Sequence, residues 1–290
     1  MSNAQPARPS SPAPPIDKKI TKSFYVHSQV EKAELAIASD FFATTGRTVG
    51  AFTDLVPRLE ANLTVWETLT PPAGTEIGMT ADDYLDRWLA DVRASDHVVH
   101  TVFGFCVGSV FAAAMAEQVT ARQGSAPRLI LFDPERPHAA LLHRHYGDAL
   151  QIISMALSDT EMKAATHAGE AALEECSDLT GLATRLSAAL LDIGDPALRR
   201  AGLGEQRRTE LLGTFGSFLN YLAASAEIDP GDIWPTATAI SSATPRNGLN
   251  VLPPEQRADA VAREIRFDLQ HADLLRSVDV AKTVDELLRT

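Results

Sequence analysis

Only two of the 290 residues are cysteine, Cys106 and Cys176, which excludes a disulfide framework. Basic residues are also scarce: 26 Lys and Arg stand against 38 Asp and Glu, a formal net charge of -12. A nucleic-acid backbone or an anionic membrane surface is therefore an unfavourable partner. No apolar run reaches the roughly 18 residues that span a bilayer, and no signal-peptide pattern is present. The cytoplasm is the expected compartment. Metal-ligand spacings, a phosphate-cradling glycine loop and a dinucleotide fingerprint are missing as well, so no bound metal or cofactor is expected. What is present is a 45% hydrophobic chain, enough for a packed core.

Met1 to Pro15 is rich in Pro, Ser and Ala and lacks apolar periodicity, so residues 1–18 are expected to form a disordered tail and 19–290 a folded domain. β-prone runs at 23–26 and 36–43, separated by a charged segment, suit an initial hairpin or two adjacent strands. Phe52, Leu55, Val56 and Leu59 then recur at helical spacing, followed by a strand at 63–66 and a helix face on Tyr84, Leu85, Trp88, Leu89 and Val92. Residues 97–103 read as a strand, 104–108 as a turn, 110–119 as an alanine-rich helix and 128–132 as another strand. This alternation predicts an α/β fold with a mainly parallel central sheet and helices on both faces. From about residue 138 to 230 the spacing is helical throughout, which marks an insertion; a strand at 236–241 and an amphipathic helix at 278–288 close the chain. Trp66, Trp88 and Trp234 are expected to pack against the core or the insertion.

The sharpest local feature is Gly104-Phe105-Cys106-Val107-Gly108 between an apolar strand and a small-residue helix, the pattern of a nucleophile elbow with Cys in the place of Ser. The tight turn demands small residues two positions to either side, and Gly104 and Gly108 supply them. The helix that follows aims its amides and positive end at the sulfur, which favours thiolate. The string alone also fits a buried, inert cysteine between turn glycines. Elbow enzymes run nucleophile, acid, histidine along the chain. Asp133 ends the next strand, and His271 follows the last predicted strand; an isolated Asp beside Pro134 also fits a turn former. The other seven histidines are expected to be mostly solvated, and Cys176, among Glu174, Glu175 and Asp178, to be unreactive.

With these residues in view, 36–290 resembles the thioesterase domains and stand-alone thioesterases of nonribosomal peptide and polyketide synthesis, an α/β-hydrolase family. Phe41-Phe42-Ala43-Thr44-Thr45-Gly46 followed by 52–59 is similar to the family's oxyanion strand, loop and helix, with Thr44 where Pro is usual. The elbow departs from the family in Cys106 for Ser and in Gly108-Ser109 for Gly-Gly. Leu131-Phe132-Asp133 resembles the acid-bearing strand, 271–275 the histidine loop, and the helical insertion the lid. The resemblance implies that His271, oriented by Asp133, deprotonates Cys106, while the N–H groups of Val107 and Thr45 stabilise the oxyanion.

The function so implied is transfer of an acyl or aminoacyl group between phosphopantetheine thiols of acyl or peptidyl carrier proteins through a Cys106 thioester. Such an intermediate keeps the activation of the incoming thioester. Hydrolytic release of carrier-bound acyl groups by the same triad, and a non-catalytic hydrolase-like scaffold, are the competing readings. No cofactor is implied beyond the pantetheine arm of the partner.

Overall fold

The computed structural model describes residues 22–30, 34–42, 50–72 and 74–289. The elements follow in the order β1 (Phe24–Ser28), β2 (Leu35–Phe42), the single turn α1 (Phe52–Leu55), β3 (Thr64–Leu69), α2 (Ala81–Arg93), β4 (Val99–Phe105), α3 (Gly108–Gln123) and β5 (Arg128–Phe132). Then come α4 (Ala139–Ile152), α5 (Asp159–Glu175), α6 (Leu179–Arg200), α7 (Glu205–Ser225), β6 (Thr238–Ser241), α8 (Pro254–Asp259), β7 (Arg263–Arg266) and α9 (Val278–Arg289). The expected tail at 1–18 lies outside the described residues.

Seven strands form one sheet in the order β1-β3-β2-β4-β5-β6-β7, and every neighbouring pair is parallel except β1 with β3. Alternate residues along the strands feed two cores, as the period of two requires. Leu35, Ile37, Val102, Leu129, Leu131 and Ala239 face the side covered by α2, α3 and the helices that follow β5. Ala36, Ala38, Phe103, Phe105, Ile130, Phe132 and Ile240 face the other side, under Phe52, Leu274, Val280 and Val284. Each fully buried Leu, Ile or Phe contributes about 1.5–3 kcal/mol relative to exposure, so this two-sided burial is the main force that sets the sheet.

Three expectations need correction. β1 and β2 form neither a hairpin nor an adjacent pair, because β3 inserts between them and pairs with both. The edge strand β7 gave no sequence signal: in Arg263-Glu264-Ile265-Arg266 only one residue is apolar, and pairing with β6 rather than burial makes it a strand. His27 is not solvated; its side chain is 5% exposed and its Nε2 lies 2.6 Å from Glu67 Oε2. The helical insertion appears as α4–α7, with α6 packed on α5 and α7, and α7 returning onto α3. All three tryptophans are buried, and the Trp234 indole N–H donates to the Ser109 carbonyl at 3.2 Å, which anchors the end of the insertion to the elbow helix.

Candidate active site

β4 brings Cys106 to the carboxyl edge of the sheet, and α3 starts only two residues later. Cys106 has φ 52°, a left-handed conformation that costs a residue with a side chain about 1–3 kcal/mol. Its neighbours hold it there. The Cys106 N–H donates to the Phe132 carbonyl at 2.9 Å, and its own carbonyl accepts from Ser109 N–H at 3.1 Å and Glu135 N–H at 3.3 Å. The flanking glycines are sites of close approach. A Cβ on Gly104 would lie 2.5 Å from Ser109 Cα, and one on Gly108 would strike the Ser39 carbonyl oxygen with its carbon at 2.8 Å. Side-chain bulk at either position would push the elbow helix off the strand ends.

Asp133 follows β5 directly, is fully buried and also has a positive φ, 44°. Its Oδ1 accepts the Ser242 N–H at 2.7 Å, and its Oδ2 meets His271 Nδ1 at 2.8 Å. An ionised carboxylate can only accept, so Nδ1 carries the proton and Nε2 is the basic ring nitrogen. His271 opens a 3-10 turn, His271–Arg276; its amide donates to Thr244 Oγ1 at 2.7 Å. Its ring stacks on Phe105, with centroids 4.7 Å apart and planes 16° from parallel. Phe105 immediately precedes Cys106, so the imidazole lies over the strand end that bears the thiol. Residues 138 positions apart in the chain are thus hydrogen-bonded above one sheet edge.

Two residues of this region carried no assignment from the sequence. Gly248, at φ 59°, presses on the acid-bearing turn: a Cβ there would come within 2.8 Å of Asp133 Cα. Its place in a turn-rich loop was visible, but its contact was not. Glu135, 1% exposed, lies two residues past the acid and gave no sequence signal, because Asp-Pro-Glu reads as a solvated turn.

The expectation that the helix end favours a thiolate meets surroundings that act the other way. Cys106 is partly exposed, yet crowding by protein pushes its thiol well above the ordinary range, and the Glu135 carboxylate adds to the rise. The Val107 N–H opposes it, while Asp40 and Asp133 push the same way. A helix end carries about half a positive charge, and burial with the negative charges of Glu135, Asp40 and Asp133 acts against it, in the direction of the neutral thiol. Val107 sits at the start of α3, buried, whereas Thr45, the other expected oxyanion donor, lies outside the described residues. Cys176 ends α5 in the helical layer; both cysteines are free thiols.

No protein-family model and no curated protein matches the sequence. Among solved structures, a four-domain nonribosomal peptide synthetase bound to AMP and glycine aligns with a TM-score of 0.52 at 14% identity, over 88% of this chain and 19% of that one. An α/β-hydrolase enzyme from a Medee basin deep-sea metagenome library aligns at 0.51 and 11% identity, over 93% of this chain and 94% of that one. A thioesterase domain bound with a dodecadepsipeptide aligns at 0.49 and 14% identity, over 87% and 92% of the two chains. At such identities likeness speaks for the fold alone, and together with the mostly parallel seven-stranded sheet it shows that this chain has the α/β-hydrolase fold.

Proposed function

We propose that the protein is an acyltransferase of the thioesterase type, in which Cys106 takes an acyl or aminoacyl group from one pantetheine thioester and gives it to another thiol. The observation that carries this reading is the Asp133–His271 hydrogen bond, 2.8 Å long, at the strand end next to a cysteine held at positive φ. In this reading His271 Nε2 takes the Cys106 proton as the sulfur attacks the thioester carbonyl. The new carbon–sulfur bond forms, the old one breaks, and the departing pantetheine thiolate recovers the proton from His271. The amide of Val107 receives the developing oxyanion, with Thr45 as the second donor. A second thiol then repeats the exchange in reverse. Transfer is favoured over hydrolysis because acyl-Cys106 is itself a thioester, and the group stays activated for its acceptor.

The partners in this proposal are acyl or peptidyl carrier proteins. The likeness to a multidomain peptide synthetase fits that assignment. The pantetheine arm arrives with the carrier, so the reaction asks for no bound cofactor. A cytoplasmic setting would keep the two thiols reduced. The experiment is intact-protein mass spectrometry after mixing with an acylated carrier and an empty one. An adduct on Cys106 and loading of the second carrier are expected, both lost in Cys106→Ala. Rapid release of free acid with the second carrier empty would assign hydrolysis instead. No adduct and no turnover would leave a binding scaffold.

A further inference from the structure

We propose that Glu135 is a positioning residue of this centre, tying the nucleophile turn, the acid-bearing turn and the first helix of the insertion into one unit and setting the charge that Cys106 meets. The inference rests on the reading of Cys106 as the nucleophile. Three contacts carry it. The Glu135 amide donates to the Cys106 carbonyl at 3.3 Å. Its Oε2 accepts the N–H of Gly248, also at 3.3 Å, and Gly248 is the residue where an added Cβ would come within 2.8 Å of Asp133 Cα. Among the described residues its Oε1 has no hydrogen-bond partner, but it lies 3.7 Å from Arg144 Nη2 and 3.6 Å from His138 Nε2.

Both of those partners belong to the beginning of the insertion. His138 precedes α4, and its Nδ1 accepts the Leu141 N–H at 3.2 Å, which leaves Nε2 as the protonated nitrogen facing Glu135. Arg144 lies one and a half turns into α4, and its Nη1 donates to the Arg246 carbonyl at 2.9 Å, in the loop that also carries Gly248. One carboxylate therefore links the elbow, the loop under the acid and the helix that begins the lid layer. A movement of α4 would reach Cys106 through it.

The carboxylate also has a chemical consequence. The Glu135 side chain is fully buried, and Arg144, its countercharge, is 30% exposed. A negative charge on Glu135 raises the energy of the Cys106 thiolate relative to the two neutral forms, thiol and acyl-thioester. Expulsion of Cys106 as a thiolate is then slower whatever the acceptor, so the departing sulfur depends on the proton that His271 returns to it as the carbon–sulfur bond breaks. The groups around the sulfur on other elements are Asp40 within β2, Asp133 with His271, and Tyr221 on α7. Asp133 is already paired with His271 and Tyr221 is neutral, with its hydroxyl pushed well above the ordinary phenol range by burial. Asp40 adds to the same field, and Glu135 is the carboxylate that the lid layer contacts.

The test is the pH dependence of Cys106 alkylation by iodoacetamide, read by intact mass in the full chain with Cys176→Ser so that one thiol reports. Glu135→Gln keeps an acceptor for Gly248 N–H and removes the charge, and alkylation below the midpoint is expected to rise about tenfold. Arg144→Gln removes the countercharge from a partly exposed position and is expected to slow alkylation; the double variant should behave like Glu135→Gln. Shifts of opposite sign are the signature, since loosening of the turn would move both variants the same way. Superimposable profiles, or shifts in one direction, overturn the proposal. Should Glu135→Gln fail to fold, slower alkylation in Arg144→Gln supports it and an unchanged or faster rate overturns it. Alkylation needs no acyl substrate, so this result stands apart from the carrier-loading experiment.

Discussion

The sheet edge and the helical layer that follows β5 are held by different means. At the edge, Cys106 and Asp133 sit at φ 52° and 44°, and Gly104, Gly108 and Gly248 let backbone approach backbone where one extra carbon would collide. In the helical layer the fixtures are local and replaceable: Ser158 and Asp178 cap α5 and α6, and Arg200 with Glu161 and Arg185 with Glu175 form exposed ion pairs. Exposed pairs of this kind are worth little each, with a median of about 0–1 kcal/mol. Geometry that must be met to tenths of an ångström is concentrated where chemistry is proposed. The layer above it has many small supports and can change sequence without losing its helices.

Four substitutions test that contrast. The largest effect belongs to His271→Ala: loss of the base of the proposed mechanism should lower kcat/KM for acyl transfer by roughly 10²–10⁴-fold with little change in thermal stability. Asp133→Asn should cost less, because the imidazole remains. An unchanged rate in His271→Ala would remove the imidazole from the mechanism. Next comes Gly108→Ala, whose added Cβ meets the Ser39 carbonyl and Asp40 Cα; denaturant unfolding should show a loss of about 1–3 kcal/mol or more, together with activity. Wild-type stability there would mean that the elbow helix can shift freely. The smallest effect is Asp178→Ala in the cap of α6, about 1 kcal/mol of stability with turnover retained. A large fall in turnover from that cap would erase the distinction between the two regions.

The elbow was legible because it is local: strand, two glycines and a small-residue helix stand next to each other in the chain. The acid and the histidine were found by order along the chain, and Asp133 and His271 do meet. Other parts were not legible. β7 contains one apolar residue in four, so neither hydrophobic period nor composition marks it, and 21 residues separate it from the end of its partner β6. The place of β1 beyond β3 could not be read because an edge position depends on which strand arrives next to it, not on its own residues. The charge around Cys106 was not legible, since helix polarity is visible in sequence and the negative charges of Glu135 and Asp40 that act on the thiol are not.

By itself the sequence determined the alternation of strands and helices, the two-faced burial of the central strands and the strained turn at Cys106, because each follows from periodicity or from residues a few positions apart. Only the tertiary structure decided that Asp133 bonds His271, that Gly248 lies against the turn at Asp133, and that Glu135 faces both the turn at Cys106 and Arg144. These are contacts between distant segments. Their energies depend on distance and burial, which come into being when the sheet assembles and its loops converge on one edge.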